Sequence, residues 1–463
     1  MAYSSITKPE DHFNTKLYTG NATNPTTISG IGFQPDWVWT KLRAGGTEGH
    51  RLCDAVRGAT KDLLSNTTSA ESTNTIGLKS FDSDGYVIGN SNGYNFNSGT
   101  FVSWNWLAGG TAPAITYSVK VVSDSGNKYR FDDFGTSAVT LDLQEGGTYT
   151  FDQSDSSNSG HPLRFATAAD AAGGTEYTTG VTTTGTPGSS GAQTVITVAA
   201  SAPTLYYYCT NHSGMGGQAN TNSTFGSSNF GGSIQANVSA NTTAGFSIVS
   251  YTGTGSNATV GHGLGAAPAW IIFKRRDSAD NWTVYHQSIS PTKRIELNST
   301  GAAATSSASF NDTAPTTSVF SIGNNSALNA SSGTNIAYCF VEKAGYSKFD
   351  SYTGNGNSDG TFIYTGFKPA WLLYKRSDDS TGRNWQIYDN KRSISNELNK
   401  RLRADTSDAE TTSTGIDFTS NGFKLRTSDG NYNASGANYI YMCFAENPFV
   451  ANNSGTAVPV TAR

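Results

Sequence analysis

Three potential metal ligands lie close together in the segment YYYCTNHSGMGG, residues 206–217. Cys209, His212 and Met215 follow one another at intervals of three residues, in a chain with four cysteines, three methionines and six histidines. Thiolate and imidazole groups are ligands of both copper and zinc, whereas a thioether suits copper and is a poor ligand for zinc. The spacing therefore predicts a metal site in which one short loop supplies three ligands.

The segments that must position this loop have the pattern of strands. YSVKVV, AVTLDL and TYTFDQ alternate apolar and polar residues, as half-buried strands do, and AQTVITV and TLYYYC follow them. Short strands separated by turn-forming residues are typical of a β-sandwich. We therefore expect residues 112–222 to form an inserted β-sandwich domain.

This block resembles the cupredoxins, Greek-key sandwiches that hold a blue-copper site. In members of the amicyanin type, a Cys-x2-His-x2-Met loop joins the last two strands, and a further histidine follows a central strand. The resemblance implies that His161, in SGHPLRF, joins Cys209, His212 and Met215 around one copper ion. The thiolate and two imidazoles would form a trigonal plane, with the thioether as a weak axial ligand.

Two alternatives to a copper site stay open, a structural zinc site and a metal-free shell that serves only as a spacer. Methionine is a poor zinc ligand and disfavours the first. Electron transfer is not expected to be the purpose of the protein even if copper binds, because most of the chain belongs to other units.

The rest of the chain repeats itself three times. In each repeat Tyr-Thr-Gly precedes a tryptophan by 19 residues, and a lysine lies four residues after that tryptophan. The tryptophans are Trp37, Trp270 and Trp371, and the lysines are Lys41, Lys274 and Lys375. The repeats close with FVSWNWLAGG, IAYCFVEKAG and IYMCFAENPF, in which we expect Trp104, Tyr338 and Tyr441 to correspond. The spacing predicts three homologous units of about 100 residues, a typical domain size.

Strand-like segments and turn residues dominate these units as well, so the predicted fold is all-β. We expect tandem β-sandwich domains, jelly-roll-like, plus the cupredoxin-like Greek-key sandwich. The predicted boundaries are 1–111 for unit one, 112–222 for the insert, 223–243 for a Gly/Ser/Asn-rich linker, 244–346 for unit two and 347–463 for unit three. One short helix is expected in each unit, most clearly at 390–405, where Ile394, Leu398 and Leu402 lie four residues apart.

Composition and missing motifs argue against an enzyme. The chain has no His-Glu-x-x-His pair, no Gly-x-Ser-x-Gly elbow and no nucleotide-binding loop. A carbohydrate-cleaving pair of distant carboxylates stays open, because it depends on a separation in space. The net charge of −4 comes from scattered charges and does not favour nucleic acid. No apolar run could cross a membrane, and no signal peptide is expected.

Single histidines and cysteines outside the loop are expected to be structural. His262 lies in a Gly-rich loop whose counterparts in the other units have no histidine, so we expect it at the surface. Cys339 and Cys443 take the same place in two units and should be buried and unpaired.

The repeat units, closest in the pattern from Gly32 to Gly110, resemble a repeat domain frequent in tail-fibre and other virion proteins of marine bacteriophages. A YYYCTNHSGMGG block is a common neighbour in such proteins. The resemblance implies a non-enzymatic virion surface protein, most simply a tail fibre or appendage that attaches to a host-surface glycan or envelope component. It would be made in the host cytoplasm, released by lysis and assembled as a homo-oligomer, with a trimer favoured, together with other virion proteins. The alternatives are a capsid or tail decoration protein and a copper-binding cupredoxin-type protein.

Overall fold

Strands are the main regular structure of the protein in this computed structural model, with 45% of the residues in strands and 5% in helices, so the predicted all-β fold is confirmed. The structure describes residues 4–171, 173–222, 225–379, 381–448, 450–453 and 456–459. No helix among these residues has the length and apolar character needed to cross a membrane.

Unit one forms a six-stranded sheet, in the order β1-β9-β3-β4-β5-β6, and a three-stranded sheet, β2-β8-β7. A single helical turn, α1 (Asn92–Asn95), precedes β9. The strands are β1 (Phe13–Thr19), β2 (Thr26–Ser29), β3 (Trp37–Ala44), β4 (Arg51–Asp54), β5 (Lys61–Leu64), β6 (Ser72–Thr73), β7 (Leu78–Asp82), β8 (Gly85–Ile88) and β9 (Thr100–Trp106).

The inserted block forms two facing sheets around its own core. Their orders are β11-β10-β13-β16-β15 and β12-β18-β17-β14, and the buried side chains between them form a cluster separate from the rest of the protein. The strands are β10 (Ala114–Ser123), β11 (Asn127–Phe131), β12 (Leu141–Gln144), β13 (Thr148–Asp152), β14 (Leu163–Ala166), β15 (Val181–Thr184), β16 (Gln193–Thr197), β17 (Leu205–Cys209) and β18 (Gly217–Asn222).

Unit two has the strand order β19-β20-β21-β28-β23-β24-β25-β26 and a separate pair, β22-β27. Its strands are β19 (Ser227–Asn229), β20 (Ala236–Asn241), β21 (Phe246–Thr252), β22 (Ala258–Gly261), β23 (Trp270–Arg275), β24 (Thr283–His286), β25 (Lys293–Glu296), β26 (Ala304–Thr305), β27 (Val319–Ile322) and β28 (Thr334–Phe340). Two helical turns, α2 (Ser307–Phe310) and α3 (Ser326–Asn329), connect them.

Unit three has the order β29-β36-β31-β32-β33-β34-β35-β30, and a hairpin, β37-β38, follows it. Its strands are β29 (Ser347–Thr353), β30 (Phe362–Tyr364), β31 (Phe367–Arg376), β32 (Gln386–Asp389), β33 (Leu398–Arg403), β34 (Thr411–Thr419), β35 (Gly422–Leu425), β36 (Asn438–Pro448), β37 (Val450–Asn453) and β38 (Thr456–Pro459).

The repeated tryptophans take equivalent places in the three units. Each is fully buried on a central strand, and its neighbours on the closing strand are Trp106, Phe340 and Phe444. The same register aligns Trp104 and Tyr338 with Met442, one residue beyond the tyrosine expected from the sequence.

The three units share one hydrophobic core. All eight tryptophans of the chain belong to a single buried cluster that also includes residues from each closing strand. Trp37 of unit one stacks on Tyr338 of unit two at 4.4 Å between ring centroids, and Trp106 meets Trp371 of unit three at 5.6 Å. The units therefore stabilise one another by burying apolar surface in common.

The repeated lysines form hydrogen bonds across the three interfaces between these units, which we call the seams. Each Nζ donates to a backbone carbonyl of a neighbouring unit: Lys41 to Ser407 at 3.0 Å, Lys274 to Thr68 at 3.1 Å and Lys375 to Thr300 at 2.8 Å. Through this repeated lysine, unit one thus contacts unit three, unit three contacts unit two, and unit two contacts unit one. The three units form a closed ring with approximate threefold symmetry.

Three local expectations differ from the structure. The helix predicted at 390–405 is wrong, because Leu398–Arg403 forms strand β33, and a spacing of four residues also places Leu398 and Leu402 on one side of a strand. His262 is buried, and its ring accepts a hydrogen bond from the Leu264 amide at 3.2 Å. The segment 223–243 includes β19 and β20, which extend the sheet of unit two.

The expectation for the cysteines is confirmed. Cys339 and Cys443 are fully buried in two different clusters, and all four cysteines are free.

Candidate metal centre

Two neighbouring strands of the inserted sandwich bring the predicted ligands together. Cys209 is the last residue of β17 and pairs with Leu163, the first residue of β14. His161 lies two residues before Leu163, and His212 lies on the loop that follows Cys209. Antiparallel pairing therefore places both ligand-bearing ends at one edge of the sheet.

Three ligand atoms converge at this edge. One atom each from His161, Cys209 and His212 lies within 4.8 Å of the others. The Cys209 Sγ is 3.8 Å from the Nδ1 of His161 and 3.6 Å from the Nδ1 of His212. The two imidazole centroids are 4.6 Å apart. Three of the four residues predicted from the sequence thus meet as a His2Cys cluster.

These separations fit a single bound ion. With metal–sulfur and metal–nitrogen bonds of about 2.3 and 2.05 Å, a trigonal or tetrahedral ion places sulfur and nitrogen about 3.6–3.8 Å apart. The two Sγ to Nδ1 distances, 3.8 and 3.6 Å, span that range. The donor set of one thiolate and two imidazoles is that of His2Cys trigonal copper sites.

The fourth predicted ligand, Met215, is buried in the core of the inserted sandwich with Cys209. Gly214 precedes it with a φ of 70°, a left-handed conformation that turns the loop back towards the sheet. The backbone carbonyl of Met215 accepts a hydrogen bond from the Tyr129 amide at 2.9 Å, which ties the loop to β11. Its role as an axial ligand stays a prediction.

Side chains that the sequence analysis did not single out hold the two ligand loops. The carbonyl of His161 accepts from the Tyr129 hydroxyl and the Gln153 amide, both at 2.9 Å. Asn211, between Cys209 and His212, donates to the Gly160 carbonyl at 2.8 Å and so joins the loops directly. Burial raises the pKa of the Tyr129 phenol, which keeps this donor protonated. The position of Asn211 inside the Cys-x2-His spacing was the one signal available in the sequence.

The cluster runs from the protein interior to solvent. Cys209 is buried, His161 is partly buried and His212 is exposed. Burial and the neighbouring His212 lower the pKa of His161. Both effects favour the neutral imidazole, which is the form that binds metals. An ion could therefore reach the cluster from the His212 side.

A separate cavity of about 750 Å³ lies where the insert joins the body formed by the three units. Its side chains already bond across the junction. Gln144 donates to the Gly110 carbonyl at 2.9 Å and accepts from the Gly226 amide at 2.8 Å, and Tyr117 donates to the Ser228 carbonyl at 2.8 Å. These bonds join the incoming and outgoing connections of the insert.

Ring and insert together define an all-β protein of three related units, interrupted by a sandwich with a His2Cys cluster. The chain belongs to the family described as Domain of unknown function (DUF7483), whose model matches residues 8–132 and 217–448. All four predicted ligands lie in 133–216, between the two matched ranges. Comparisons with curated proteins and with solved structures give no match.

Proposed function

We propose that the inserted sandwich is a cupredoxin-like domain that binds one copper ion through His161, Cys209 and His212, with Met215 as a weak axial ligand. The observation that carries this proposal is the convergence of the three ligand atoms within 4.8 Å, at separations suited to one ion. A thioether next in the loop favours copper over zinc.

Bound copper would supply one-electron chemistry and an intense thiolate charge-transfer colour. The residues of the chain orient the ligands. Tyr129 and Gln153 hold the carbonyl of His161, and Asn211 fixes the distance between the two loops. Cys209 belongs to the buried core of the insert, which limits the access of water to its sulfur, whereas His212 is exposed.

Titration with Cu(II), followed by visible absorption, tests the proposal. The expected result is one equivalent of copper with strong colour that is lost in Cys209→Ala and kept in His12→Gln, a histidine outside the cluster. A colourless protein that binds zinc with equal stoichiometry would support the structural zinc alternative instead. A protein that binds neither metal would leave the insert as a spacer.

We further propose that the whole chain is a non-enzymatic surface protein of a bacteriophage virion, most simply a tail fibre or appendage that contacts host-surface glycans or envelope components. The resemblance of the repeat units supports this, and so does the ring itself, because a shared core and hydrogen-bonded seams give a rigid module. The alternative is a capsid or tail decoration protein that uses the same ring for assembly.

Antibody labelling of virions distinguishes these roles. Label on fibres or other appendages is the expected result, whereas label confined to the head would support the decoration role. Sedimentation of the purified protein would test the expected homo-oligomer.

A further inference from the structure

Unit three presents two aromatic side chains to solvent on one short strand. Among the described residues, four large hydrophobic side chains are exposed: Ile76, Phe362, Tyr364 and Ile394. Phe362 and Tyr364 belong to β30, with exposures of 44% and 60%, while Ile363 between them is buried. Alternation along the strand places both side chains on the same face, with their Cα atoms about 7 Å apart.

Charged side chains border this aromatic pair. Phe362 pairs with Lys424 on β35, and Lys424 pairs with Asp417 on β34, so the three residues share a face. Lys424 Nζ lies 2.8 Å from an Asp359 carboxylate oxygen, and Arg426 donates to Asp417 at 2.5 Å. Asp417 itself is buried, so the charged groups that a ligand on this face can reach next to the rings are Asp359, Lys424 and Arg426.

A glycine on the neighbouring strand lies beside the two aromatic residues. Gly422 is the strand partner of Tyr364, and a Cβ there would lie 3.2 Å from the Cζ of Phe362 and 2.0 Å from the Ile363 carbonyl oxygen. The end of the Phe362 ring therefore lies over Gly422, and this residue adds no side chain between Phe362 and Tyr364.

The other two units show that the fold does not need aromatic residues here. The buried residue Ile363 corresponds in register to Ile28 in unit one and Val260 in unit two. The residues on either side of it are Thr27 and Ser29 in unit one and Thr259 and Gly261 in unit two. Aromatic residues at these positions are thus a feature of unit three alone. Their exposure forgoes the favourable free energy that burying their apolar surface would contribute.

We propose that the face formed by Phe362, Tyr364 and Lys424 binds the sugar rings of a polysaccharide. The C–H bonds on one side of a pyranose ring form an apolar face that stacks on aromatic rings, while its hydroxyl groups at the rim need both donors and acceptors. The paired charges at the border supply these groups without a net charge that would demand an ionic partner. The inference rests on the proposed host-attachment role and assigns that role to one surface.

Affinity electrophoresis of the full chain tests this surface, with dextran, mannan or arabinogalactan cast in the gel. The wild type is expected to be retarded by at least one of the three. Phe362→Ala with Tyr364→Ala should weaken that binding about tenfold or more, because two stacking contacts are lost. Tyr364→Trp should bind as well as the wild type, and Ile76→Ala, an exposed apolar residue in unit one, serves as the matched control.

The proposal is overturned if none of the three polysaccharides retards the wild type, or if the double variant is retarded equally. It is also overturned if sedimentation velocity shows that the double variant loses a self-association present in the wild type, since the face would then cover a second copy. Unchanged tryptophan fluorescence would show that the double variant is folded.

Binding to host cells separates this inference from the proposed function. If the double variant still binds cells, attachment stands and the aromatic face is not responsible for it. If the wild type binds a polysaccharide but no host cell, the face stands and the attachment role does not.

Discussion

Replacing Arg57 with methionine should destabilise the three-unit ring strongly. The Arg57 guanidinium is fully buried and makes five hydrogen bonds, to Asp54, Glu71, Tyr338 and the carbonyls of Leu52 and Lys61. Asp54 is equally buried, and the Tyr338 hydroxyl of unit two donates to it at 2.7 Å. The methionine side chain would leave the Asp54 carboxylate without its countercharge.

Removing one partner of a buried ion pair costs about 3–5 kcal/mol. That is a large fraction of the ~5–15 kcal/mol by which domains are stable. The double variant Asp54→Asn with Arg57→Met removes the orphaned charge and should recover part of the loss. Arg275→Met is the matched control in the same ring, because its partners Asp277 and Asp280 are more exposed and such pairs contribute about 0–1 kcal/mol.

Urea unfolding followed by tryptophan fluorescence measures this loss in the ring alone. All eight tryptophans lie in the shared core, and the inserted sandwich has none. A loss of less than about 1 kcal/mol in Arg57→Met would refute the reasoning, since it would fall in the range of a surface pair. Three separate fluorescence transitions in the wild type would refute the shared core itself.

Three further outcomes are expected. Burial lowers the pKa of Lys41, Lys274 and Lys375 to about 8. Between about pH 8 and 10.5 the unfolded state therefore binds more protons at these groups than the folded state, and the free energy of unfolding rises with pH. Lys274→Met should flatten the slope of the unfolding free energy against pH in that window, and an unchanged slope would contradict the lowered pKa. Asn211→Ala should weaken copper binding about 10–100-fold, because it removes a hydrogen bond that supports the ligands, with circular dichroism as the check that the insert stays folded. Copper at 100 times its Kd should stabilise the insert by about 2.7 kcal/mol, measured by calorimetry, while the tryptophan transition of the ring stays in place because the two cores are separate.

The repeat, the strands and the ligand cluster could be predicted from the sequence because each depends on local pattern. Apolar–polar alternation indicates a strand with one buried face, and the ligand types and their spacing predict that the loop brings these side chains together. The ring could not be predicted in the same way. Trp37 is buried whether the sheet that covers it belongs to its own unit or to the next one, so its pattern is the same in both cases.

One signal for the ring was present in the sequence. Lys41, Lys274 and Lys375 follow buried strand residues directly, and a lysine repeated at such a position needs a partner that strand periodicity does not supply. The wrong helix at 390–405 has a different cause. Leu398 and Leu402 satisfy the helical and the strand period equally, and the pairing of β33 with β32 and β34 decided between them.

The three seams of the ring are not chemically alike. Asp54 of unit one accepts a hydrogen bond from Tyr338 of unit two, and Asp389 of unit three accepts one from Trp104 of unit one. The corresponding residue of unit two is His286. Three residues further on, unit two has Ile289 where the other units have Arg57 and Arg392. Burial lowers the pKa of His286 to about 4, so this position carries no charge at neutral pH. Three copies of unit two would set Tyr338 against a histidine at every seam. The exact threefold repeat is therefore broken at these positions, because each unit presents a different pair of side chains to its neighbour.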